Sequence, residues 1–330
     1  MINHDVCIVG GESLLGRELR DQLAETKFPA RVKLIGADEE GAKVLSIQDG
    51  EPVVITELDA DVLERSRVVF LTGSPLSSRK AHGLVLESAS KPEIIDLTGA
   101  LEDQPNARLR APILEAENYS VPAGAIHVIA HPAATMLAQI FRRIHRHYPI
   151  LHSVVQIFEP ASERGYAGLT ELQKQTASLL AFKTLPKEVF DAQLSFNMLP
   201  RYGSDAPVQL EDIEHRIDRH LASLSHNAPV PSIRLSQAPV FHGYSCSIWL
   251  EFENNPGSVA VSEALASAQI EVRGADLEPP SNVGSVGQSG VTVGLLETDR
   301  NHPKAMWMWA VADNFRVAAD SAMDVARQLL

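Results

Sequence analysis

The run Val6-Cys7-Ile8-Val9-Gly10-Gly11-Glu12-Ser13-Leu14-Leu15-Gly16 carries the first residues whose types and spacing could do chemistry. Four apolar residues enter a glycine pair, and Leu14, Leu15, Leu19 and Leu23 then share one helical face. This pattern predicts a buried strand, a tight turn and a helix. Such a turn can hold phosphate, because backbone N–H groups and the positive helix end converge there. Gly10 would close the turn and Gly16 would let the helix approach the sheet. Gly10, Gly11, Glu12, Ser13 and Leu14 are the candidate pyrophosphate cradle, with Ser13 where a dinucleotide turn carries its middle glycine. Two readings stay open: a nucleotide site, and a strand–helix turn with no ligand. Asp38 lies about 20 residues beyond the turn, where a carboxylate would hold an adenosine ribose. Asp38-Glu39-Glu40 would repel a 2′-phosphate, which favours NAD over NADP; the alternative is an ordinary acidic loop. Gly73 ends the buried run Val68-Val69-Phe70-Leu71, at a strand end that would face the cofactor.

Other chemistry-bearing residues have plainer readings. His127 and His131 share a strand face and could meet a metal, but with no carboxylate or third histidine nearby a structural role is favoured. Cys246 reads as a small buried residue rather than a nucleophile. His145, His147 and His152 with Arg142 and Arg143 read as a solvated helix end. Trp307 and Trp309 share a strand face and read as core.

These groups need elements to position them. Strands are expected at 32–35, 53–58, 68–71, 94–97 and 125–129, with helices after the first glycine turn, over 81–90 and over 133–148. That alternation predicts an open parallel sheet. After Tyr148 the pattern changes. Strands at 151–158, 233–240, 245–252, 291–297 and 306–312 and helices over 166–182, 209–225, 259–268 and 314–330 predict an α+β domain with a mixed or antiparallel sheet. The 233–240 and 245–252 strands are expected to pair with each other. The fold class is α/β: a Rossmann-like parallel-sheet domain, residues 1–132 with 310–330, plus an α+β dimerisation domain, residues 133–309.

Composition bounds the function. The 330 residues are 45% hydrophobic with a net charge of −13, and the two cysteines, Cys7 and Cys246, are too few for a disulfide framework. An acidic chain is a poor partner for nucleic acid. No apolar run of about 18 residues is present to span a membrane. No signal peptide is visible, and a cytoplasmic setting is expected.

The order of motifs resembles the aspartate-semialdehyde dehydrogenase family over nearly the whole chain. The carriers are the turn Gly10 to Gly16, Val128-Ile129-Ala130-His131-Pro132-Ala133-Ala134-Thr135, Phe158-Glu159-Pro160-Ala161-Ser162-Glu163-Arg164-Gly165, and Glu171-Leu172-Gln173-Lys174-Gln175-Thr176. Phe196-Asn197-Met198-Leu199-Pro200, Ala238-Pro239-Val240-Phe241-His242-Gly243-Tyr244-Ser245 and Trp309-Ala310-Val311-Ala312-Asp313-Asn314 complete them. The family reduces aspartyl phosphate with NADPH through a cysteine thioester. The resemblance implies a homodimer through the second domain, a last helix returning to the first, and a cofactor contact at Asn314.

It also implies lost chemistry. The family's nucleophilic cysteine falls on Ala134, its active-site glutamine on Glu159 and its base histidine on Tyr244. Its substrate-carboxylate arginine falls on Gln237 and its phosphate-binding arginine on Glu102. A phenol is normally protonated at pH 7 and is too weak a base. Thr135 adjoins the vacant position, with no visible residue to deprotonate it. The profile resembles that of the non-catalytic Usg-type paralogues. A silent binding homodimer is the first expectation. A structural partner of an active paralogue and an NAD-linked oxidoreductase with a changed substrate are the alternatives.

Overall fold

A computed structural model describes residues 4–37, 45–48 and 51–330. In chain order the elements are β1 (His4–Val9), α1 (Leu14–Glu25), β2 (Ala30–Ile35), β3 (Leu45–Gln48), β4 (Glu51–Val54), α2 (Ala60–Glu64), β5 (Val68–Leu71), α3 (Pro75–Glu87), β6 (Glu93–Asp96), β7 (Ala107–Arg110) and β8 (Ile126–Ile129). Then come α4 (Pro132–His147), β9 (Ile150–Glu159), α5 (Gly165–Leu180), α6 (Leu210–Leu224), β10 (Ser232–Gln237), β11 (Tyr244–Phe252), α7 (Ser258–Leu265), β12 (Ile270–Val272), α8 (Asn282–Ser285), β13 (Val291–Thr298), β14 (Ala305–Ala312) and α9 (Asn314–Leu329). The chain divides into unit 1, residues 1–130 with 318–330, and unit 2, residues 131–317.

Unit 1 holds a parallel six-stranded sheet in the order β2-β1-β5-β6-β8-β7. Alternation along β1 sends Val6 and Ile8 to one face, with Leu19, Leu23, Met323 and Val325, and Cys7 and Val9 to the other, with Leu63, Ala81 and Val85. Burial on both faces is why these strands read as unbroken apolar runs. Gly10 has φ of +89°, and a Cβ there would lie 2.4 Å from the Gly73 backbone. Gly10→Ala is therefore expected to cost about 1–3 kcal/mol, read as a lower unfolding midpoint. An unchanged midpoint would show that the turn relaxes.

Unit 2 holds a mixed six-stranded sheet in the order β10-β9-β11-β14-β13-β12. The β9–β10 and β12–β13 pairs are parallel and the rest antiparallel. One face buries Val155, Ile157, Ile248, Leu250, Met306 and Ala310. The other carries Val154 and Trp307 half exposed.

Several expectations are corrected. β10 and β11 do not pair with each other; β9 lies between them and takes both. The strand expected over 53–58 ends at Val54, leaving a single parallel bridge between Thr56 and Ile35. The third helix starts at Pro75, six residues early, because Ser74 and Ser77 form a reciprocal N-terminal cap. The boundary at 309/310 moves to 317/318, since β14 pairs along its full length with β11 in unit 2. Trp307 is not core: it is 44% exposed, and its indole N–H, like that of Trp249, donates to Asp299.

Candidate active site

The ends of β9, β10 and β11 meet beside the start of α4, all within unit 2. Gln237 lies in register with Glu159, and Ser245 with Phe158, so Glu159, Gln237 and Tyr244 are neighbours despite their separation in sequence. All three are buried.

His131 caps α4. Its Nδ1 accepts the Ala133 N–H at 3.3 Å, and Pro132 fills the first helical position, where no N–H is needed. The neutral ring then carries its hydrogen on Nε2, 3.4 Å from Tyr244 Oη. His131 N–H donates to His220 Nδ1 at 2.9 Å. Burial first, then the charges of Arg216, His220 and Arg164, holds the His131 imidazole well below its ordinary pKa, so it is neutral. Behind this cap Ala133, Ala134 and Thr135 are sealed. A helix start lowers the pKa of a thiol placed there, but Ala134 presents only a methyl group. The Thr135 hydroxyl is buried without a hydrogen-bond partner among the described residues.

Glu159 is 0% exposed. Its Oε1 accepts from Arg164 Nη2 at 2.9 Å, while Oε2 and Arg164 Nε have no partner among the described residues. Burial pushes the Glu159 carboxyl up to about 7, with Arg164 opposing and Glu163 reinforcing. Burial alone would lower the Arg164 pKa, but Glu159, Tyr202, Glu163 and Tyr244 outweigh it and keep the guanidinium charged. Gln237 is saturated: Nε2 donates to the Glu159 and Ala238 carbonyls at 2.8 and 3.0 Å, and Oε1 accepts from Tyr202 Oη at 2.6 Å. Burial pushes the Tyr202 and Tyr244 phenols upward, so neither is a base near neutral pH.

The Asn314 amide bonds within unit 2. It donates to Ser162 Oγ and Glu163 Oε1 and accepts from the Gly243 N–H, tying three segments of unit 2 together. Glu171 and Gln175 are also structural. Glu171 takes the Val189 and Phe190 N–H groups, and Gln175 takes those of Leu194 and Ser195 while donating to the Pro186 and Ala192 carbonyls. The two side chains hold the segment after α5 in place, which accounts for that motif without catalysis.

In unit 1, Glu102 sits in the loop after β6, which Asp96 organises by accepting from the Thr98, Gly99 and Leu101 N–H groups. At the glycine turn, the Gly10 and Gly11 N–H groups donate to Ile35 O and Ser13 N–H to Gly10 O, so three cradle donors are committed within the fold. Ser13 is the N-cap of α1: its hydroxyl accepts from Gly16 N at 2.9 Å and donates to Thr72 O at 2.8 Å. Glu12 Oε1 accepts the Ala37 N–H at 2.7 Å, at the end of β2. Leu14 opens α1, and Gly73 packs on Gly10. Asp38, Glu39 and Glu40 lie outside the described residues.

The remaining candidates resolve simply. His127 points to Arg110 Nη1 at 2.6 Å, and no group of three potential metal ligands exists among the described residues. Cys7 and Cys246 are free and buried, and burial pushes both thiols upward. The helix end is solvated at His147 and His152, as expected, and members of the set also bond to the fold: His145 accepts from the Ile150 N–H, Arg143 donates to the Ala264 and Ala266 carbonyls, and His152 pairs with Glu251. Among the described residues no helix is long and apolar enough to cross a membrane.

Arg164, Tyr202 and His220 complete the site without having been assigned a role from sequence. His220 had a signal, since it shares the stripe of Leu210, Ile213 and Ile217 on α6.

The semialdehyde dehydrogenase dimerisation-domain profile matches residues 142–317, more than half of the chain. The chain belongs to the semialdehyde dehydrogenase family. An aspartate-semialdehyde dehydrogenase of Rickettsia bellii is 25% identical, with 99% of this chain and 98% of that protein covered. A USG-1 protein homologue of Pseudomonas aeruginosa is 28% identical over 96% and 94%. Among solved structures, a probable aspartate-semialdehyde dehydrogenase from Pseudomonas aeruginosa superposes with a TM-score of 0.85 at 26% identity, covering 99% of this chain and 98% of that one. An enzyme from Candida albicans solved with NADP shares the fold, with a TM-score of 0.69, 14% identity and 99% and 98% coverage. The family's dimerisation domain thus falls within unit 2.

Proposed function

We propose that this chain is a semialdehyde dehydrogenase family protein that does not run the family reaction and acts as a binding homodimer. One observation carries the reading. Ala134, the family's nucleophile position by resemblance, is a sealed methyl at the start of α4, and no thiolate stands in for it. Cys246 is buried with its thiol pushed upward, and the Thr135 hydroxyl is buried with no hydrogen-bond partner among the described residues, so no base takes its proton. The other substituted positions support it. Gln237, at the family's substrate-carboxylate arginine by resemblance, is saturated by Tyr202 and the Glu159 and Ala238 carbonyls, and Glu102 puts a carboxylate at the family's phosphate-binding arginine. Loss of a nucleophile alone costs about six orders of magnitude in rate.

The same reading assigns any nucleotide site to NAD rather than NADP. Glu12 on the Ala37 N–H places a carboxylate at the end of β2, adding to the acidic run that follows and opposing a 2′-phosphate. A thermal melt tests it. NAD at a hundred times its dissociation constant adds about 2.7 kcal/mol, a rise of several degrees, and NADP is expected to add less. A larger rise with NADP would overturn the assignment. No rise with either would leave the glycine turn as inherited architecture and favour the paralogue-partner reading, which pull-down with an active family member tests.

A further inference from the structure

Helices α1 and α5 end in the same left-handed cap, with the side chains exchanged. At the end of α1, Lys27 N–H donates to Ala24 O and Phe28 N–H to Leu23 O, and Lys27 takes the left-handed position at φ +49°. The lysine is in water, and Phe28 packs in the same core cluster as Leu23. That apolar pair is the usual companion of such a cap.

At the end of α5, Phe182 N–H donates to Leu179 O and Lys183 N–H to Ser178 O, and Phe182 takes the left-handed position at φ +53°. Lys183 and Ser178 now stand where α1 has its apolar pair. Glycine is the usual residue at the left-handed position, and a bulky one is strained there. The Phe182 ring is 98% exposed, so no packing within the chain offsets that strain.

Phe196 repeats the pattern, at φ +56° and 71% exposed. Ser195 Oγ is bonded to Thr176 Oγ1 at 2.8 Å, and Thr176 and Leu180 are four residues apart on α5, so Phe196 stands beside the last turns of that helix. Leu180 and Met198 are exposed as well. Three of the seven non-glycine residues with left-handed φ among the described residues, Phe182, Asp191 and Phe196, fall in this one stretch. The buried Glu171 and Gln175 side chains impose its course through their bonds to the 186–195 backbone. Strain persists where the surroundings over-determine it, and it concentrates in segments that bind.

Charge indicates the partner. From Gln173 to Lys187 the charged residues are Lys174, Lys183 and Lys187, with no carboxylate, in a chain of net charge −13. A second copy of the chain offers the opposite sign. The whole stretch also lies inside the dimerisation-domain match.

We propose that residues 180–198 are a docking arm, whose Phe182 and Phe196 rings are buried against a second copy of this chain. The arm rests on the homodimer proposed above and supplies the segment that closes it.

Sedimentation equilibrium over a dilution series tests it on the intact chain, on Phe182→Gly and on the double variant Phe182→Gly with Phe196→Gly. Glycine suits a left-handed φ, so both variants are expected to stay folded, with one cooperative thermal transition. The dimer dissociation constant is expected to rise at least about ten-fold in the single variant and further in the double, because a two-fold pair loses both arms at once. A dimer whose dissociation constant is unchanged in the double variant would overturn the arm and leave the homodimer standing. A wild-type chain still monomeric at about 100 μM would overturn both. Cosedimentation with phosphatidylserine vesicles, present in the wild type and lost in the double variant, would give the rings to a lipid surface and overturn the arm.

Discussion

Glu159→Gln will make the protein more stable than wild type at pH 8 and will leave it nearly unchanged at pH 5. The Glu159 carboxyl is wholly buried, and its pKa rises from 4.5 to about 7. A carboxyl raised in the folded state favours its neutral form there. That contribution is present in full below the unfolded pKa and is lost as pH rises through the folded value. The difference of about 2.5 units sets an upper limit of about 3 kcal/mol, lost between about pH 4.5 and 7. Glutamine is neutral throughout, keeps an acceptor for Arg164 Nη2 and carries no charge to desolvate. Denaturant unfolding of both proteins from pH 5 to 8 reads the effect as a widening gap in favour of the variant. If the variant is instead several kcal/mol less stable at pH 8, the ion pair with Arg164 outweighs desolvation and the site is a charged one.

Arg110→Met will destabilise unit 1 by about 3–5 kcal/mol, the cost of leaving a buried charge without its partner. Arg110 is 2% exposed at the end of β7. It makes two bonds to Glu115, at 2.9 and 2.8 Å, reaches His127 Nδ1, and donates to Gln328 near the end of α9. Its guanidinium also lies 5.2 Å from the centre of the Tyr119 ring. One residue thus ties the edge of the sheet to the closing helix. His127 reports the change independently. Burial and then the Arg110 charge lower its pKa to about 4. A histidine depressed in this way stabilises the fold above its unfolded pKa of about 6.5 and loses that contribution as pH falls through about 4. Removing Arg110 is expected to raise the His127 value toward the ordinary range, seen by NMR titration of its ring protons. An unmoved titration and a loss under 1 kcal/mol would show that the cluster is solvent-screened.

These clusters mark the limits of what the sequence exposes. β1, the glycine turn and α1 were readable because apolar run, glycine pair and leucine stripe agree. β11 was readable because Cys246, Ile248, Leu250 and Phe252 alternate with Ser247, Trp249 and Glu251. β7 was invisible: Ala107-Arg108-Leu109-Arg110 has no apolar run, and its arginine is buried only because Glu115, His127 and Gln328 arrive from elsewhere. The pairing of β10 with β9 was missed because nearness in the chain favoured a β10–β11 hairpin, and a parallel pair has no local turn signal. Trp307 and Trp309 looked like core because alternation identifies a face but not whether anything covers it. At the site, Ala134, Glu159, Gln237 and Tyr244 were placed by resemblance to a family, not by spacing. The His131–His220 and Tyr202–Gln237 bonds join positions 89 and 35 residues apart, and no local pattern encodes them.

The central claim, that the family reaction has been abandoned, is tested most directly by turnover. Purified protein would be given aspartate semialdehyde, inorganic phosphate and NAD or NADP, with reduced cofactor followed by absorbance. No rate above trace is expected with either cofactor. Robust turnover that survives thiol alkylation, or that is lost on Thr135→Val or Cys246→Ser, would contradict it and place the nucleophile at a residue read here as structural.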